Sequence, residues 1–426
     1  MTLHRCADGG PSRVTDTTDR KDDRPKTWVS VRDDTSWAVD VLPFAVARFD
    51  GRRRVVSRIG DLAVDLAPIA QQLAPHLTAL FETDSLNTLM SQPPATWHAV
   101  WSTVQSWLVT GSMRRIVEPH LLAVAHLDLT MPFTVADFVD FSSSRFHAEH
   151  AAKLLRPGSP ALHANWLHLP IGYHGRSGSV VVTGTRIARP TGQMIDDGDV
   201  VFERTRCLDF EAEVGFVIGT PSPAGQRLDA AHAPEHVFGV VLVNDWSARD
   251  LQAWEATPLG PFVSKAFATS ISAWVTPMWT LQRARVSAPP RGVAQLPHLS
   301  GGDDWGLDIE LEVSINGHVV SRPPFGHQYW TIAHQLAHLT SAGASLRTGD
   351  LIASGTVSGP HQYQAGSLME LTAAGTQPIS LPDGTSRGYL NAGDSVTIRA
   401  VARRDDGRCV GLGEVSGAVT PDAVAG

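Results

Sequence analysis

A chain of 426 residues with 42% hydrophobic content is long enough for two domains, or for one large domain with an appended module, and carries enough apolar side chains for a real core. Its formal charge of −8 argues against a nucleic-acid surface, which needs a basic face to displace phosphate counterions. No run approaches the roughly twenty apolar residues of a membrane span, and the N-terminus lacks an apolar signal core. Cys6, Cys207 and Cys409 are too few and too far apart for a disulfide framework or a CxxC metal knuckle. The expected setting is the cytoplasm, and the expected partners are small molecules or a second copy of the chain.

Residues 1–34 are polar and charged and lack apolar periodicity, so most of them are expected to form a flexible extension. Short β-rich runs follow, from "WAVDVLPFAVARFDG" through "RRRVVSRIGDLAVDLAPI", and then a helical section from about 70 to 110. Together these predict a small N-terminal domain over 35–125. Residues 126–426 are dominated by strand signals such as "SGSVVVTGTRIARP", "LDFEAEVGFVIG" and "WGLDIELEVSINGHVV". Asn316-Gly317 between two alternating runs predicts a tight hairpin. One helix is predicted at about 329–342, ended by Gly343. The fold class is therefore mainly β with some α, largely antiparallel, and not an alternating βαβ sheet.

Several segments carry candidate chemistry. Glu211 and Glu213 alternate within a strand, so both carboxylates leave the same face, as two hard ligands for Mg²⁺ or Ca²⁺ must. Asp308, Glu310 and Glu312 show the same alternation, and either set is equally readable as the wet face of a half-buried strand. The strand Val240–Val243 ends in Asn244-Asp245, where Asp245 either completes a carboxylate cluster or caps a following helix. Arg249, Gln252 and Lys265, one of four lysines in the chain, suit an anionic substrate and developing negative charge. His334 and His338 form HxxxH without the glutamate of HExxH, which favours packing or surface histidines over zinc. "IGYHGRSGS" does not match a phosphate-binding loop and reads as a tight loop presenting Tyr173 and Arg176.

Taken together, "DFVDFSSSRFHAEH", "NWLHLPIGYHGRSGSVVVTGT", "LDFEAEVGFVIG", "VVLVNDWSARDLQAWEATPLGPFVSKAFATSISAWVTP", "LRTGDLIASGTVSGP" and "GSLMEL" resemble the fumarylacetoacetate hydrolase family over residues 36 to about 418. The resemblance implies an N-terminal SH3-like barrel, a C-terminal mixed β-roll and a homodimer. It also implies a divalent-cation site at Asp140, Glu211, Glu213 and Asp245 with Lys265 and Thr269 close by, while Asp308, Glu310 and Glu312 match no such site. Mg²⁺, Ca²⁺ and Mn²⁺ all suit hard oxygen ligands.

The implied reaction is hydrolysis of a C–C bond in a 1,3-diketone acid, with fumarylacetoacetate as the first candidate. His147, held by Glu370, would activate water, and Arg249, Gln252 and Lys265 would stabilise the oxyanion. Arg156, Tyr173, Gln252 and Thr356 fall on substrate-contact positions. Ser142 and Ala256 stand where the family presents tyrosines, which implies a roomier, less polar pocket and makes a bulkier diketone a competing substrate. The wider superfamily includes 2-oxo acid decarboxylases and isomerases, and a non-catalytic scaffold would not need this set of residues together.

Overall fold

The computed structural model describes residues 25–49, 51–155, 158, 160–301 and 304–420. Arg156 and the first 24 residues of the expected extension lie outside the described residues. The described part of that extension is docked: Trp28 Nε1 donates to Trp107 O, Thr27 Oγ1 donates to Leu108 O, and Val29 is buried. Both hydrogen bonds fall on the helix Pro94–Val109, whose Trp97, Val100, Val104 and Trp107 face the core. A polar, Asp- and Arg-rich composition masked this anchoring Trp-Val pair.

The N-terminal sheet has five strands in the order Leu121–Ala123, Leu62–Asp65, Arg52–Ile59, Phe44–Phe49 and Asp128–Leu129. Its last strand pairs Leu129 with Ala47 and so extends past residue 125. The core beneath it is continuous with the second part of the chain. Phe44, Trp97 and Leu108 belong to one buried cluster with Val217, Phe238, Val241 and Ile271, and Trp97 meets Phe238 edge-on at 5.3 Å between centroids.

The central sheet is mostly antiparallel. Along it lie Gly172–His174, Phe138–Phe141, Leu351–Ala353, Ala212–Ile218, Val237–Asp245, Thr269–Ile271 and Val180–Val182, with Thr276–Pro277 also pairing the Val237–Asp245 strand. Two pairings are parallel, Leu351–Ala353 with Phe138–Phe141 and Thr269–Ile271 with Val180–Val182. Val237–Asp245 and Ala212–Ile218 are buried along their whole length because both faces are covered, which explains their near-continuous apolar runs. A four-stranded sheet, His318–Ser321, Ile309–Ile315, Ser395–Arg403 and Cys409–Ala418, packs beyond.

Asn316 and Gly317 both take positive φ, 52° and 80°, between paired Ile315 and His318, as a two-residue hairpin turn requires. The predicted helix near 329–342 is shorter, Ile332–Leu339. Thr331 stands before it in extended conformation and Gly343 follows with φ 92°.

Candidate active site

The site is built where several strands of the central sheet end together. Asp140 lies on Phe138–Phe141, and Asp245 closes the buried Val237–Asp245 strand. Glu213 lies within Ala212–Ile218, with Glu211 just before that strand. All four are buried, and each offers a carboxylate oxygen within 4.8 Å of the others. Asp245 is therefore no helix cap: the next helix starts at Arg249, after Ala248.

Two cations compensate this cluster. Lys265 Nζ lies 2.6 Å from Glu211 Oε2 and 2.9 Å from Asp245 Oδ2. Arg249 reaches Glu211 Oε1 through Nη1 at 2.8 Å and Asp209 Oδ2 through Nε at 2.8 Å. Tyr173 Oη and Thr269 Oγ1 donate to Asp245 at 2.7 and 2.8 Å. Lys265 and Thr269 thus sit against the carboxylates as donors, and an ammonium has no lone pair to offer a metal.

Four carboxylates against two cations leave an excess of negative charge. Burial and the neighbouring Asp245 charge push the Asp140 carboxyl up to about 8. Burial, with the charges of Asp140 and Glu211, raises Glu213 well above the carboxylate range. Burial opposes ionisation of Glu211 too, but the charges of Lys265 and Arg249 overcome it and hold that carboxyl low.

Asp140 Oδ1 and both oxygens of Glu213 have no hydrogen-bond partner among the described residues, although buried. Buried carboxylate oxygens left in this way are expensive unless a cation meets them. A separation of 4.8 Å is what ligands across one cation show, because Mg–O and Ca–O distances run about 2.0–2.6 Å. The residues fit a divalent cation.

Beside the cluster, the helix Arg145–Leu155 presents His147. The serine run before it is structural: Ser144 Oγ accepts from His147 N at 3.2 Å, while Ser143 Oγ accepts from the Gln335 side chain at 2.7 Å. His147 Nδ1 is 2.8 Å from Glu370 Oε2. Burial alone would lower the imidazole's pKa, but the charge and hydrogen bond of Glu370 raise it above its ordinary 6.5. Burial likewise opposes the Glu370 carboxylate, yet the His147 charge brings it down to about 2. The Glu211 and Arg249 charges also act on His147, which places the pair within electrostatic reach of the carboxylate cluster.

The other predicted positions lie on or next to the strands and helix that carry these groups. Tyr173 sits on the short strand Gly172–His174, opposite Asp140, rather than in a loop, and Arg176 is exposed. Ser142 directly follows the Asp140 strand, and Thr356 follows Leu351–Ala353, with its Oγ1 buried and without a hydrogen-bond partner among the described residues. Gln252 Oε1 accepts from Arg249 Nη1 at 3.1 Å, and Ala256 ends the same helix. Glu310 and Glu312 stand apart: Glu310 pairs with Arg403 at 2.8 Å and Glu312 with Arg322, both on the four-stranded sheet. His334 bonds Thr331 at 2.7 Å, and burial pushes it down to about 3, as a packed histidine.

Sequence reasoning missed Asp209 and His150. Asp209 is fully buried, holds Arg249, and accepts the backbone N–H groups of Leu368 and Met369 at 2.7 and 3.1 Å, tying Arg249 to the element that carries Glu370. Its signal was the same alternation, since Asp209, Glu211 and Glu213 are two apart. Gly355 is a further constraint, with φ 76° and an added Cβ only 1.8 Å from Phe141 O. Gly355→Ala is expected to cost more than the roughly 1–3 kcal/mol of backbone strain and to displace Asp140. A urea midpoint close to the parent's would contradict this.

A model described as "Fumarylacetoacetate (FAA) hydrolase C-terminal" matches residues 138–420, and one described as "Fumarylacetoacetase N-terminal" matches 40–132. Fumarylacetoacetase from Homo sapiens is 38% identical over 414 residues, covering 93% of this chain and 99% of the relative. That from Arabidopsis thaliana is 35% identical over 419 residues, covering 93% and 98%. Among solved structures, fumarylacetoacetate hydrolase from psychrophilic Exiguobacterium antarcticum superposes with a TM-score of 0.53 at 17% identity, over 89% of this chain and 99% of that one. Maleylpyruvate hydrolase from Sphingobium gives 0.50 at 16%, over 88% and 99%. These two share the fold alone. With models matching both halves and relatives above 30% identity along nearly their full length, the chain belongs to the fumarylacetoacetate hydrolase family.

Proposed function

We propose that this protein hydrolyses a C–C bond of a 1,3-diketone acid, with fumarylacetoacetate as substrate and fumarate and acetoacetate as products. The observation that carries this reading is the His147–Glu370 pair standing beside a cation-compensated cluster of four carboxylates. Full-length relatives named fumarylacetoacetase support the choice of substrate.

A divalent cation held by Asp140, Glu211, Glu213 and Asp245 would supply Lewis acidity toward the diketone oxygens. Mg²⁺ or Ca²⁺ is proposed, with Mn²⁺ acceptable to the same ligands. Glu370 is ionised and only accepts hydrogen bonds, so His147 carries its proton on Nδ1 and keeps a lone pair on Nε2. Nε2 takes a proton as water oxygen bonds to the carbonyl carbon. Arg249 Nη2, which has no hydrogen-bond partner among the described residues, donates to the developing oxyanion together with Gln252 and the remaining Lys265 N–H.

Collapse of the tetrahedral adduct breaks the bond to the central methylene, whose electron pair leaves as an enolate. The His147 proton then goes to that carbon, while the new carboxylic acid gives up the other water proton. One water is consumed and one proton released per turnover near neutral pH. Tyr173, Thr356 and Ser142 are proposed to face the substrate and Arg156 to bind it, with Ala256 leaving room. The same reading carries an SH3-like barrel for the N-terminal sheet, a catalytic domain that begins after Asp128–Leu129, a homodimer and a cytoplasmic location.

A bulkier diketone is the second reading, favoured by the short side chains of Ser142 and Ala256. Purified protein with Mg²⁺ is expected to release fumarate and acetoacetate in equal amounts. Turnover of other diketones with none of fumarylacetoacetate would replace the substrate, and CO₂ release would replace the reaction.

A further inference from the structure

The carboxylate of Glu370 does not serve His147 alone. His150, one turn along the same helix, places Nδ1 3.1 Å from Glu370 Oε1, while His147 Nδ1 holds Oε2. Spacing of i and i+3 puts both imidazoles on one face of the helix. Ser358 and Ser367 donate to Oε2 as well, at 3.0 and 2.9 Å, so among the described residues His150 is the only side chain hydrogen-bonded to Oε1. Glu370 is almost completely buried, His147 is 14% exposed at its side chain, and His150 is 32% exposed. The outer histidine therefore reaches solvent while touching the carboxylate that holds the inner one.

We propose that His150 is a positioning residue for the hydrolytic base: it shares Glu370 with His147 and so sets how strongly that carboxylate holds and polarises the His147 imidazole. This deepens the proposed function and rests on that reading. A hydrogen bond to Oε1 fixes the carboxylate plane and draws part of its charge away from Oε2. Without it, the charge falls more fully on His147 and its imidazole becomes more basic; with a permanent cation at 150 the imidazole becomes less basic.

Other charges bear on the pair. Glu211 and Arg249 act on His147 from the carboxylate cluster. Arg145 and Glu149 of the same helix bind each other at 2.7 Å, and Lys153 lies one turn beyond His150. None of these is altered by substitution at 150.

The test is an NMR titration of the His147 imidazole in the full-length protein, compared among the parent, His150→Leu, His150→Asn and His150→Arg, with kcat/KM profiles recorded alongside. An adjacent opposite charge is worth roughly 1–3 pH units, so redistribution within one carboxylate is expected to move the His147 midpoint by about half a unit or more. The midpoint should rise in His150→Leu, fall in His150→Arg and return toward the parent in His150→Asn, whose amide can replace the hydrogen bond. The acid limb of kcat/KM should move in the same order. Coincident His147 midpoints in all four proteins, each with the parent's fold by circular dichroism, would overturn the proposal. Because the titration needs no turnover, this failure is separable from failure of the hydrolase reading, which absence of diketone cleavage by the parent would show.

Discussion

His147→Ala is expected to lower kcat by roughly 10²- to 10⁴-fold, the usual worth of a positioned general base, with little change in thermal stability. The residue is partly exposed and its partners survive its removal, since Glu370 keeps Ser358, Ser367 and His150. The pH profile carries a second signature. Only neutral imidazole can accept the water proton, and His147 is held above its ordinary 6.5, against the effect of burial, by Glu370. Activity of the parent should therefore decline as pH falls through that raised value, and the residual activity of His147→Ala should lack this limb. The double variant with Glu370→Gln should be scarcely worse than the single one, because two residues acting as a unit are not additive. Parent-like kcat in His147→Ala would remove the histidine from the mechanism.

The proposed divalent-cation site predicts that chelation abolishes turnover and makes stability pH-dependent in a defined direction. Without a cation, burial and like charges hold Asp140 at about 8 and Glu213 well above the carboxylate range. The folded chain then binds protons that the unfolded chain releases near pH 4. For groups raised in this way the stabilisation is complete below the unfolded value and is lost as pH rises through the folded one. The metal-free protein should therefore lose thermal stability between about pH 4 and 8. Added Mg²⁺ or Ca²⁺ displaces those protons, so its stabilising effect should grow with pH, reaching about 2.7 kcal/mol at a concentration 100 times Kd. Thermal melts at pH 6 and 8.5, with and without the cation, measure this. Equal gains at both would contradict the assigned ligands.

What the sequence could and could not reveal is clearest at the carboxylates. Period-two spacing marks Glu211 and Glu213 but marks Glu310 and Glu312 as strongly, since alternation gives the face and not what covers it. The structure separates them: Glu310 and Glu312 meet Arg403 and Arg322, whereas both Glu213 oxygens are buried without hydrogen-bond partners among the described residues. Family resemblance, not spacing, singled out the first pair. Asp140, Asp245 and Glu370 are far apart in the chain, and only the crossovers of the central sheet bring the first two together. His150 remained without a role because its partner is 220 residues away. Trp28 and Val29 were hidden by polar neighbours, since composition averages over a window while docking needs only two apolar side chains.

The reaction itself is tested most directly by turnover of fumarylacetoacetate in H₂¹⁸O, with mass spectrometry of fumarate against substrate held in the same water without protein. The account predicts one water-derived oxygen in the new fumarate carboxylate, acetoacetate in equal amount, and loss of both signals in His147→Ala. Consumption of the substrate without labelled fumarate, or with CO₂ in its place, would contradict hydrolysis of the C–C bond.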